Sequence, residues 1–339
     1  GGHIKMSIKI LKPGLFSTIQ DIGRIGYQDL GFSEAGALDY HSFSIAQKLI
    51  GNQGPAIEYT LVGPNIEFLT DNTFAIVGGN SEPKLNGNKI DLLTVYHVRN
   101  GDQLDIGQIT EGARGYIVFG HPLKINKVAQ SYSTHVRSGM GGFKGRALKK
   151  YDVIATQVNH NYKTNLGKTI DFSSIPDNNY IHVIEGPQIN EFDEETIAKF
   201  VNSEFKISDQ SDRMGYRLKG NTVAPKNSAD IISEPVALGS IQVPNDGNPI
   251  ILLNDKQTIG GYTKIATVTQ LDLRKLAQMK PGDIIQFEWI TVEEASKRLK
   301  EFKSKFEQLL KRFDEQPLFN LNHIRHTSNK IAEIIKEDR

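Results

Sequence analysis

The sequence contains no cysteine among its 339 residues, and this absence removes several kinds of chemistry at once. A chain without cysteine forms no disulfide and offers no thiol nucleophile, zinc-thiolate site or iron–sulfur cluster. The charges nearly cancel, with 40 basic against 39 acidic residues, so no global field attracts nucleic acid or an anionic membrane. Apolar runs such as Ile250–Leu253 are far shorter than the roughly 20 residues of a membrane span. We therefore expect a cytoplasmic, globular protein with no nucleic-acid or membrane partner.

Glycine and proline are plentiful, with 31 and 13 residues, which is typical of many short strands joined by turns. Two helices are predicted within this pattern, from Leu38 to Ile50 with Gly51 as C-cap, and from Asn190 to Phe200. The clearest predicted strands are Thr73–Val77, Thr94–Val98, Gln103–Ile106, Gly115–Gly120, Tyr180–Ile184, Ile250–Leu253 and Ile284–Phe287. The expected fold class is mainly β, with barrels or sandwiches and short helices.

Residues 291–339 differ from the rest, because they contain no glycine and one proline. The spacing of Thr291 and Glu294 indicates a helix N-terminus. A heptad-like stripe follows at steps of three and four, and its members are Val292, Ala295, Leu299, Phe302, Phe306, Leu309 and Phe313. We favour a helix docked on its own chain, while a homodimer through the tail helix remains open. His323 and His326 lack nearby carboxylate or cysteine partners, so no metal site is expected.

The chain length suggests two domains, and weak internal repeats support this division. Gly63–Phe68 resembles the segment that begins at Gly186, and Asn100–Asp102 resembles Pro281–Asp283. The polar, turn-rich stretch Asp171–Asn179 is the natural boundary. The expected organisation is a remnant of added sequence at residues 1–5 with Met6 as the native start, a first domain at 6–175, a second domain at 176–290, and a helical tail at 291–339.

Polar side chains are dense in three segments that only loops or strand ends could hold. The first runs from Ser17 to Asp39, where Gln20, Asp21 and Arg24 offer an amide, a carboxylate and a guanidinium within five positions. Arginine is suited to bidentate capture of a carboxylate or phosphate. The alternative is that Asp21 and Arg24 pair with each other and hold a loop together, and local sequence leaves both interpretations open.

The second polar segment is Ser211–Leu218. A β-strand here would send Arg213 and Arg217 to the same face. Two guanidiniums on one face are consistent with an anion site and equally with a solvated edge strand.

The third polar segment, residues 239–262, is the densest. Its buried strand leads into Asp255–Tyr262, where Gly260 and Gly261 allow a ligand to approach the backbone closely. A tight hairpin turn would explain the glycines, but not the amide, hydroxyl and ammonium groups beside them. The glycine-rich, basic stretch Gly139–Arg146 lacks the spacing of a phosphate-binding Walker A loop.

An ordered set of motifs carries a family resemblance across roughly residues 6–290. The motifs are Pro13-Gly14-x-x-Ser17-Thr18-Ile19-Gln20-Asp21-x-Gly23-Arg24-x-Gly26, Ala35-Gly36-Ala37-x-Asp39, Glu58-x-Thr60-Leu61-x-Gly63-Pro64, Ser211–Leu218, Gln242-Val243-Pro244, Asp255-x-Gln257-Thr258-x-Gly260-Gly261-Tyr262 and Gln278-x-x-Pro281-Gly282-Asp283. This set resembles the allophanate-hydrolase-subunit-2-like family. That family is also called biotin-dependent carboxyltransferase-like, and it includes the C subunit of 5-oxoprolinase as well as KipA-type proteins.

The resemblance implies two cyclophilin-like β-barrel domains and separately encoded or fused partners. Together with an A subunit, plus a B subunit that is KipI-like, the family's 5-oxoprolinase is expected to open 5-oxoproline to glutamate at the cost of ATP. Related urea carboxylase domains instead move a carboxyl group from carboxybiotin to urea, and KipA-like members bind a KipI-like kinase inhibitor. Met279-Lys280 lacks the flanking residues of a biotin-attachment site, so no covalently bound cofactor is expected. ATP would serve the complex, and biotin would enter only under the carboxyltransferase alternative.

The same resemblance assigns candidate roles to individual residues of one component of an ATP-dependent cyclic-amide hydrolase. The candidate catalytic acids or bases are Asp39, Asp212 and Asp255. Arg24, Arg213 and Arg217 are expected to hold a substrate carboxylate or phosphate. The remaining candidate substrate-binding residues are Gln20, Gln242, Pro244, Gln257, Thr258, Gly260, Gly261 and Tyr262. Among these, Gln242, Gln257 and Thr258 are expected to position the amide.

Overall fold

The computed structural model describes residues 5–337, so residues 1–4 of the expected N-terminal remnant lie outside the described residues. Strands dominate the described chain, and the predicted mainly β class with short helices is confirmed. None of the helices in this range combines the length and apolar character that crossing a bilayer requires.

The first β unit consists of two sheets around a shared core. Its strands are β1 (Ser7–Lys12), β2 (Phe16–Gln20), β3 (Ala56–Thr60), β4 (Val62–Phe68), β5 (Asn72–Asn80), β6 (Lys84–Leu85), β7 (Asn88–Lys89), β8 (Tyr96–Val98), β9 (Gln103–Gln108), β10 (Glu111–Phe119), β11 (Val153–Ala155) and β12 (Lys168–Thr169). One sheet has the order β11-β1-β4-β9-β6-β7, and the other β2-β3-β10-β5-β8. Alternate positions of the strands face inward, so Ile8 and Leu104 of one sheet pack with Ile57 and Ile117 of the other.

The second β unit is a closed barrel of seven strands. The strands of this unit are β13 (Tyr180–Glu185), β14 (Glu204–Ile207), β15 (Gly215–Lys219), β16 (Asp230–Pro235), β17 (Ser240–Val243), β18 (Ile250–Leu252), β19 (Ile259–Val268) and β20 (Ile284–Trp289). The ring runs β13-β20-β14-β15-β18-β17-β19, and β19 closes it by pairing with β13. β16 lies outside the ring and pairs with the first half of β19. Side chains such as Val183, Phe205 and Ile251 fill the interior.

Caps set the boundaries of the two predicted helices. α1 (Tyr40–Ile50) follows Asp39, whose carboxylate accepts a bond from Ser42 N, and ends at Gly51 with φ 80°, as predicted. α2 (Glu194–Asn202) begins four residues later than predicted, because Asp193 provides its N-cap. The short helix α3 (Leu273–Ala277) follows β19.

The tail helix α4 (Val292–Glu315) spans both units. Near its end, Phe313 is 5% exposed and belongs to the core beneath α1. Near its start, Arg298 Nη1 contacts His182 Nε2 of the second unit at 2.8 Å. The apolar stripe therefore packs on its own chain, as we favoured, and Thr291 Oγ1 caps the helix by accepting from Glu294 N at 3.1 Å.

The tail is not one continuous helix. After α4, the short strand β21 (Leu318–Phe319) pairs with β12 of the first unit. The helix α5 (Leu321–Glu337) then ends the described chain. A homodimer through the tail stays a prediction.

Side chains from each β unit reach into the other. Leu38 of the first unit belongs to the hydrophobic core of the second. Gln278 of the second unit accepts bonds from Ala113 N and Arg114 N at 3.0 and 3.1 Å. Its Nε2 donates to Asp39 Oδ2 at 2.8 Å and to Arg114 O at 3.0 Å. Because every polar group of this buried amide is used, Gln278 fixes the geometry of the junction.

Candidate functional site

A buried ion network lies where the two β units meet. Arg213 donates to both carboxylate oxygens of Asp255 at 3.1 Å and to Glu58 Oε1 at 2.6 Å. It also donates to Gly36 O at 2.7 Å. Arg213, Glu58 and Asp255 are 3%, 1% and 6% exposed. Burial disfavours the charged guanidinium, but Asp255 and Glu58 outweigh that effect and raise the pKa of Arg213, which therefore remains charged.

The network continues from Glu58 to Asp39. Glu58 Oε2 accepts from Tyr116 OH at 2.7 Å, and Tyr116 OH accepts from Asp39 N at 2.8 Å. The Asp39 carboxylate accepts bonds from Ser42 and Gln278. Burial raises the pKa of Asp39, although these hydrogen bonds act in the opposite direction. Asp39 thus caps α1 and joins the two units.

An interdomain cleft opens beside the network and encloses a cavity of about 450 Å³. Arg213 and Asp255 line it, together with the exposed carboxylates Asp209 and Asp212. Its apolar lining includes Leu15, Phe16, Leu61, Val136, Met279 and Pro281. The cleft therefore combines an apolar wall with carboxylates at one side.

A second cavity, of about 390 Å³, lies on the second unit's barrel, against the outward face of four strands and beside the turn that follows β18. We call it the barrel-mouth cavity. Strands β15, β17, β18 and β19 contribute to it, and its lining includes Arg217, Gln242, Lys256, Gln257 and Tyr262. Arg137, Asp212 and Met214 line both cavities. Because Arg137 Nη1 lies 3.1 Å from Met214 Sδ, these two side chains separate the cleft from the barrel mouth.

Two buried polar side chains at the barrel mouth have no protein partner. Lys256 is 4% exposed and Gln242 is 8% exposed. Among residues 5–337, neither the Lys256 ammonium nor the Gln242 amide makes a hydrogen bond or an ion pair. Burial lowers the pKa of Lys256, with Glu34 acting weakly against this effect. The polar atoms of these two side chains are not sealed off from solvent, so they present unused donors and an unused acceptor to the cavity.

Gly260 allows this arrangement, because a Cβ at this position would lie 2.4 Å from Gln242 Nε2. The absence of a side chain leaves room for the amide against the backbone of β19.

The first polar segment organises the first unit and lines neither cavity. Arg24 is fully buried and donates to Val128 O at 2.8 Å and to Ser133 O at 2.5 Å. The Asp21 carboxylate accepts from the hydroxyls of Ser131 and Ser133 at 2.6 Å. Burial lowers the pKa of Arg24, with Asp21 and Asp255 acting against it. Asp21 and Arg24 therefore do not pair with each other, as one interpretation expected, although both bond to the loop at residues 128–133.

Gln20 belongs to the same structural group. Its Oε1 accepts from Gly36 N at 3.0 Å, and its Nε2 donates to Thr18 Oγ1 at 2.9 Å and Thr134 O at 3.2 Å. This amide has no group left over for a ligand in the present geometry.

The structure brings part of the predicted site together and separates the rest. The predicted residues at the barrel mouth are Asp212, Arg217, Gln242, Gln257, Gly260, Gly261 and Tyr262. Those at the cleft are Asp212, Arg213 and Asp255. Those that line neither cavity are Gln20, Arg24, Asp39, Pro244 and Thr258. Their roles in binding or catalysis stay predictions.

Arg213 and Arg217 do not share one strand face. β15 begins at Gly215, so Arg213 precedes the strand and turns into the buried network. Arg217 is exposed and lines the barrel mouth. The expectation of two guanidiniums on one surface fails because the chain turns between them.

Sequence reasoning did not select Glu58, Arg137 or Lys256. Glu58 begins one of the family motifs, and Lys256 lies inside another, directly after Asp255. A lysine next to a candidate catalytic aspartate could have been selected as a site residue from the sequence. Arg137 lies in a loop whose position only the fold reveals. Within the described part of the chain, no group of three His, Asp or Glu side chains is arranged to hold a metal ion.

Comparison with known proteins agrees with this architecture. The model of the family described as carboxyltransferase domain, subdomains A and B, matches residues 30–289. The chain is 34% identical over 304 residues to the C subunit of 5-oxoprolinase from Escherichia coli strain K12, covering 89% of this chain and 97% of that protein. It is also 34% identical over 319 residues to urea amidolyase of Saccharomyces cerevisiae, covering 87% of this chain but 17% of that protein.

A solved structure has the same fold as this chain. The crystal structure of K. lactis urea amidolyase matches with a TM-score of 0.81 and 29% identity, over 94% of this chain. This chain spans 21% of that much longer protein. Together these matches show that the chain belongs to the family of carboxyltransferase domains with subdomains A and B.

Proposed function

We propose that this chain is the C subunit of an ATP-dependent 5-oxoprolinase, which acts with an A subunit, plus a B subunit that is KipI-like, to open 5-oxoproline to glutamate. The observation that carries the proposal is the extent of one match, which covers 97% of the E. coli C subunit together with 89% of this chain. This chain corresponds to nearly the whole E. coli C subunit, but to only 17% of the yeast urea amidolyase. This difference favours the 5-oxoprolinase assignment.

The barrel-mouth cavity supports the proposal chemically. 5-Oxoproline is a small ring that carries an amide and a carboxylate. The side-chain amides of Gln242 and Gln257 provide both donors and acceptors for a lactam. A cavity of about 390 Å³ lies within the range of small-molecule sites.

Opening an unstrained lactam requires an activated carbonyl and an attacking water. In the proposed complex, ATP transfers its terminal phosphoryl group to the lactam oxygen and leaves as ADP. A carboxylate of this chain takes a proton from the water that attacks the activated carbon, after which phosphate leaves and the ring C–N bond breaks with protonation of its nitrogen. Asp212 is the best placed, because it is exposed, lines both cavities and accepts only the Met214 N–H, at 2.8 Å. Asp39 and Asp255 have their oxygens committed to protein donors, so we assign them positioning roles.

The test is glutamate release from 5-oxoproline by the reconstituted three-component complex. We expect release only with all three components and ATP. Asp212→Asn should lower kcat by about 10²-fold or more. Asp246→Asn is the matched control, because Asp246 also accepts a backbone N–H two residues ahead, at 2.9 Å, and lies outside both cavities. No release from the full complex would reject the function, whereas equal activity of the two variants would reject only the role of Asp212.

A biotin-dependent carboxyltransferase is the second candidate. The 0.81 TM-score with K. lactis urea amidolyase favours it. The interdomain cleft, with its apolar wall and the Arg137 guanidinium, is the cavity that a carboxybiotin ring would occupy. This candidate predicts carboxyl transfer from free carboxybiotin to an amide substrate such as urea. Unchanged carboxybiotin decay in the presence of protein and urea would count against it.

A further inference from the structure

We propose that Lys256 binds the carboxylate of a small anionic ligand in the barrel-mouth cavity, while the Gln242 amide bonds to a polar group at the other end of that ligand. The existence of this anion site follows from the structure alone. The choice of 5-oxoproline as the ligand rests on the proposed function.

Lys256 differs from the other buried lysines of the described chain. Lys264 is 2% exposed and pairs with Glu234 at 2.7 Å. Lys275 is 6% exposed and donates to Asn178 Oδ1 at 3.1 Å and Tyr180 O at 2.8 Å. Lys256, at 4% exposed, has neither kind of partner and faces a cavity. Its Nζ is not sealed off from solvent, so the ammonium is open to an acceptor that a ligand in the cavity supplies.

The backbone that carries Lys256 is fixed before any ligand arrives. Lys256 N donates to Leu253 O at 3.0 Å, and Asp255 N donates to Arg213 O at 2.9 Å. The Asp255 side chain is held by two bonds from Arg213. The ion network between the units therefore positions the turn, and a ligand meets a preorganised ammonium group.

The surrounding charges favour an anion. Arg137 and Arg217 line the same cavity, and Asp212 is the one carboxylate among its lining residues. The two buried arginines predicted to hold a carboxylate, Arg24 and Arg213, instead donate to carbonyl and carboxylate oxygens of the protein. Lys256 differs from both, because it lines this cavity and donates to no protein group among residues 5–337.

Anion binding at Lys256 has a second signature, because a bound carboxylate favours the charged ammonium. In any protein molecule whose Lys256 amine is neutral, binding of the carboxylate is accompanied by uptake of one proton by that amine. The number of protons taken up therefore increases as the pH rises and the neutral fraction of Lys256 grows. The other charged or titratable groups that face this region are Glu34, Arg137, Asp212, Arg217 and Tyr262.

The experiment is calorimetric titration of the full chain, alone and in the complex with its A and B partners. The probes are 5-oxoproline and 2-pyrrolidinone, which is the same lactam without the carboxylate. Lys256→Met should weaken 5-oxoproline binding by about tenfold or more and leave 2-pyrrolidinone binding within about twofold. Lys275→Met, which alters a buried lysine outside the cavity, should bind both probes as the parent does. Proton uptake at alkaline pH should disappear in Lys256→Met and persist in Lys275→Met.

The outcomes separate the anion site from the proposed function. Lys256-dependent binding of acetate or succinate, but not of 5-oxoproline, would support the anion site and reject the 5-oxoproline assignment. Binding of 5-oxoproline with equal affinity by parent and Lys256→Met would overturn the role of Lys256 and leave the function standing. Failure of every carboxylate to bind in both preparations would overturn the anion site. Unfolding curves of both lysine variants confirm that any loss of binding occurs in folded protein.

Discussion

The side chains of Arg213, Glu58 and Gln278 at the interdomain junction differ from those of Lys256 and Gln242 at the barrel mouth in how they are partnered. At the junction, Arg213 and Glu58 bond to each other, and Gln278 uses all of its donors and acceptors. At the barrel mouth, Lys256 and Gln242 are buried almost as deeply and bond to no protein group among residues 5–337. The fully partnered cluster holds the units together, whereas the unpartnered pair faces a cavity and is available to a ligand.

This contrast separates structural from functional polarity better than residue type does. A predicted site residue such as Arg24 lies away from both cavities and donates to the carbonyl oxygens of Val128 and Ser133, while its Nη1 is buried without a partner. An unselected residue, Lys256, lies at the cavity with its charge unused. Because Lys256 lines a cavity and Arg24 does not, access to a cavity together with the absence of a protein partner indicates which of the two a ligand completes.

The largest expected effect comes from breaking the junction. Arg213→Met would leave Glu58 and Asp255 as buried carboxylates without their cation, and we expect the free energy of unfolding to fall by about 3–5 kcal/mol. Arg146→Met is the control, because Arg146 makes a similar two-bond pair with Asp152 nearer the surface, which should cost less than about 1 kcal/mol. Denaturant unfolding measures both, and similar losses in the two variants would show that the buried network has no special structural role.

His41 provides an unpartnered buried group that faces helix α4 instead of a cavity. Its ring lies 4.5 Å from Phe302 and 5.3 Å from Phe306, and its Nδ1 is buried without a partner. Burial, aided by Arg274 and Lys303, lowers the pKa of His41 to about 4.

As the pH falls, His41 therefore binds a proton at a higher pH in the unfolded chain than in the folded protein. Stability should fall by about 2 kcal/mol as the pH drops from 6.5 to 4, and this contribution should level off below pH 4. His41→Phe should flatten that part of the pH profile, as measured by thermal or denaturant unfolding. An identical slope in the variant would contradict the burial of His41 beneath α4.

The effect of Lys256→Met on the free energy of unfolding, measured without ligand, is a second test of the barrel mouth. Removing a buried charge that has no partner should raise the free energy of unfolding by about 1 kcal/mol in the absence of ligand. Lys264→Met, which breaks the pair with Glu234, should instead lower it. A destabilised Lys256→Met protein would indicate that Lys256 has a structural partner and would remove the contrast with the junction.

Gly260→Ala is expected to have the smallest effect on stability. The added Cβ would meet Gln242 Nε2, the flexible end of a side chain, so the unfolding free energy should change by no more than about 0.5 kcal/mol. The displaced amide should nevertheless weaken lactam binding by about threefold, the equivalent of one lost neutral hydrogen bond. Unchanged binding of 2-pyrrolidinone in calorimetry would show that Gln242 does not contact the lactam.

Local signals in the sequence predicted much of the fold. Gly51 correctly marked the end of α1, and the step-three and step-four stripe identified α4. The N-cap Asp39 lay inside the predicted helix, which was expected to begin at Leu38. The start of α2 was missed because Asp193, a stronger N-cap, lies within the predicted helix. β21 was missed because two residues carry no periodic signal, and the strand forms only by pairing with β12.

The candidate site was predicted only in part, because local motifs do not show which polar groups bond to distant parts of the chain. Gln242, Gln257 and Gly260 were selected from dense polar motifs, and they do meet at one cavity. The sequence does not reveal that Arg213 pairs with Glu58, which lies 155 positions away, or that Arg24 is fully buried. Whether a polar group is available to a ligand depends on such long-range contacts, which motif spacing does not encode.

The most direct test of the contrast is the position of 5-oxoproline in a crystal structure of the complex with bound ligand. The account predicts electron density for the ligand in the barrel-mouth cavity, with its carboxylate within hydrogen-bond distance of Lys256 Nζ and its lactam against Gln242. Density confined to the interdomain cleft, with the Lys256 ammonium still without a partner, would contradict it.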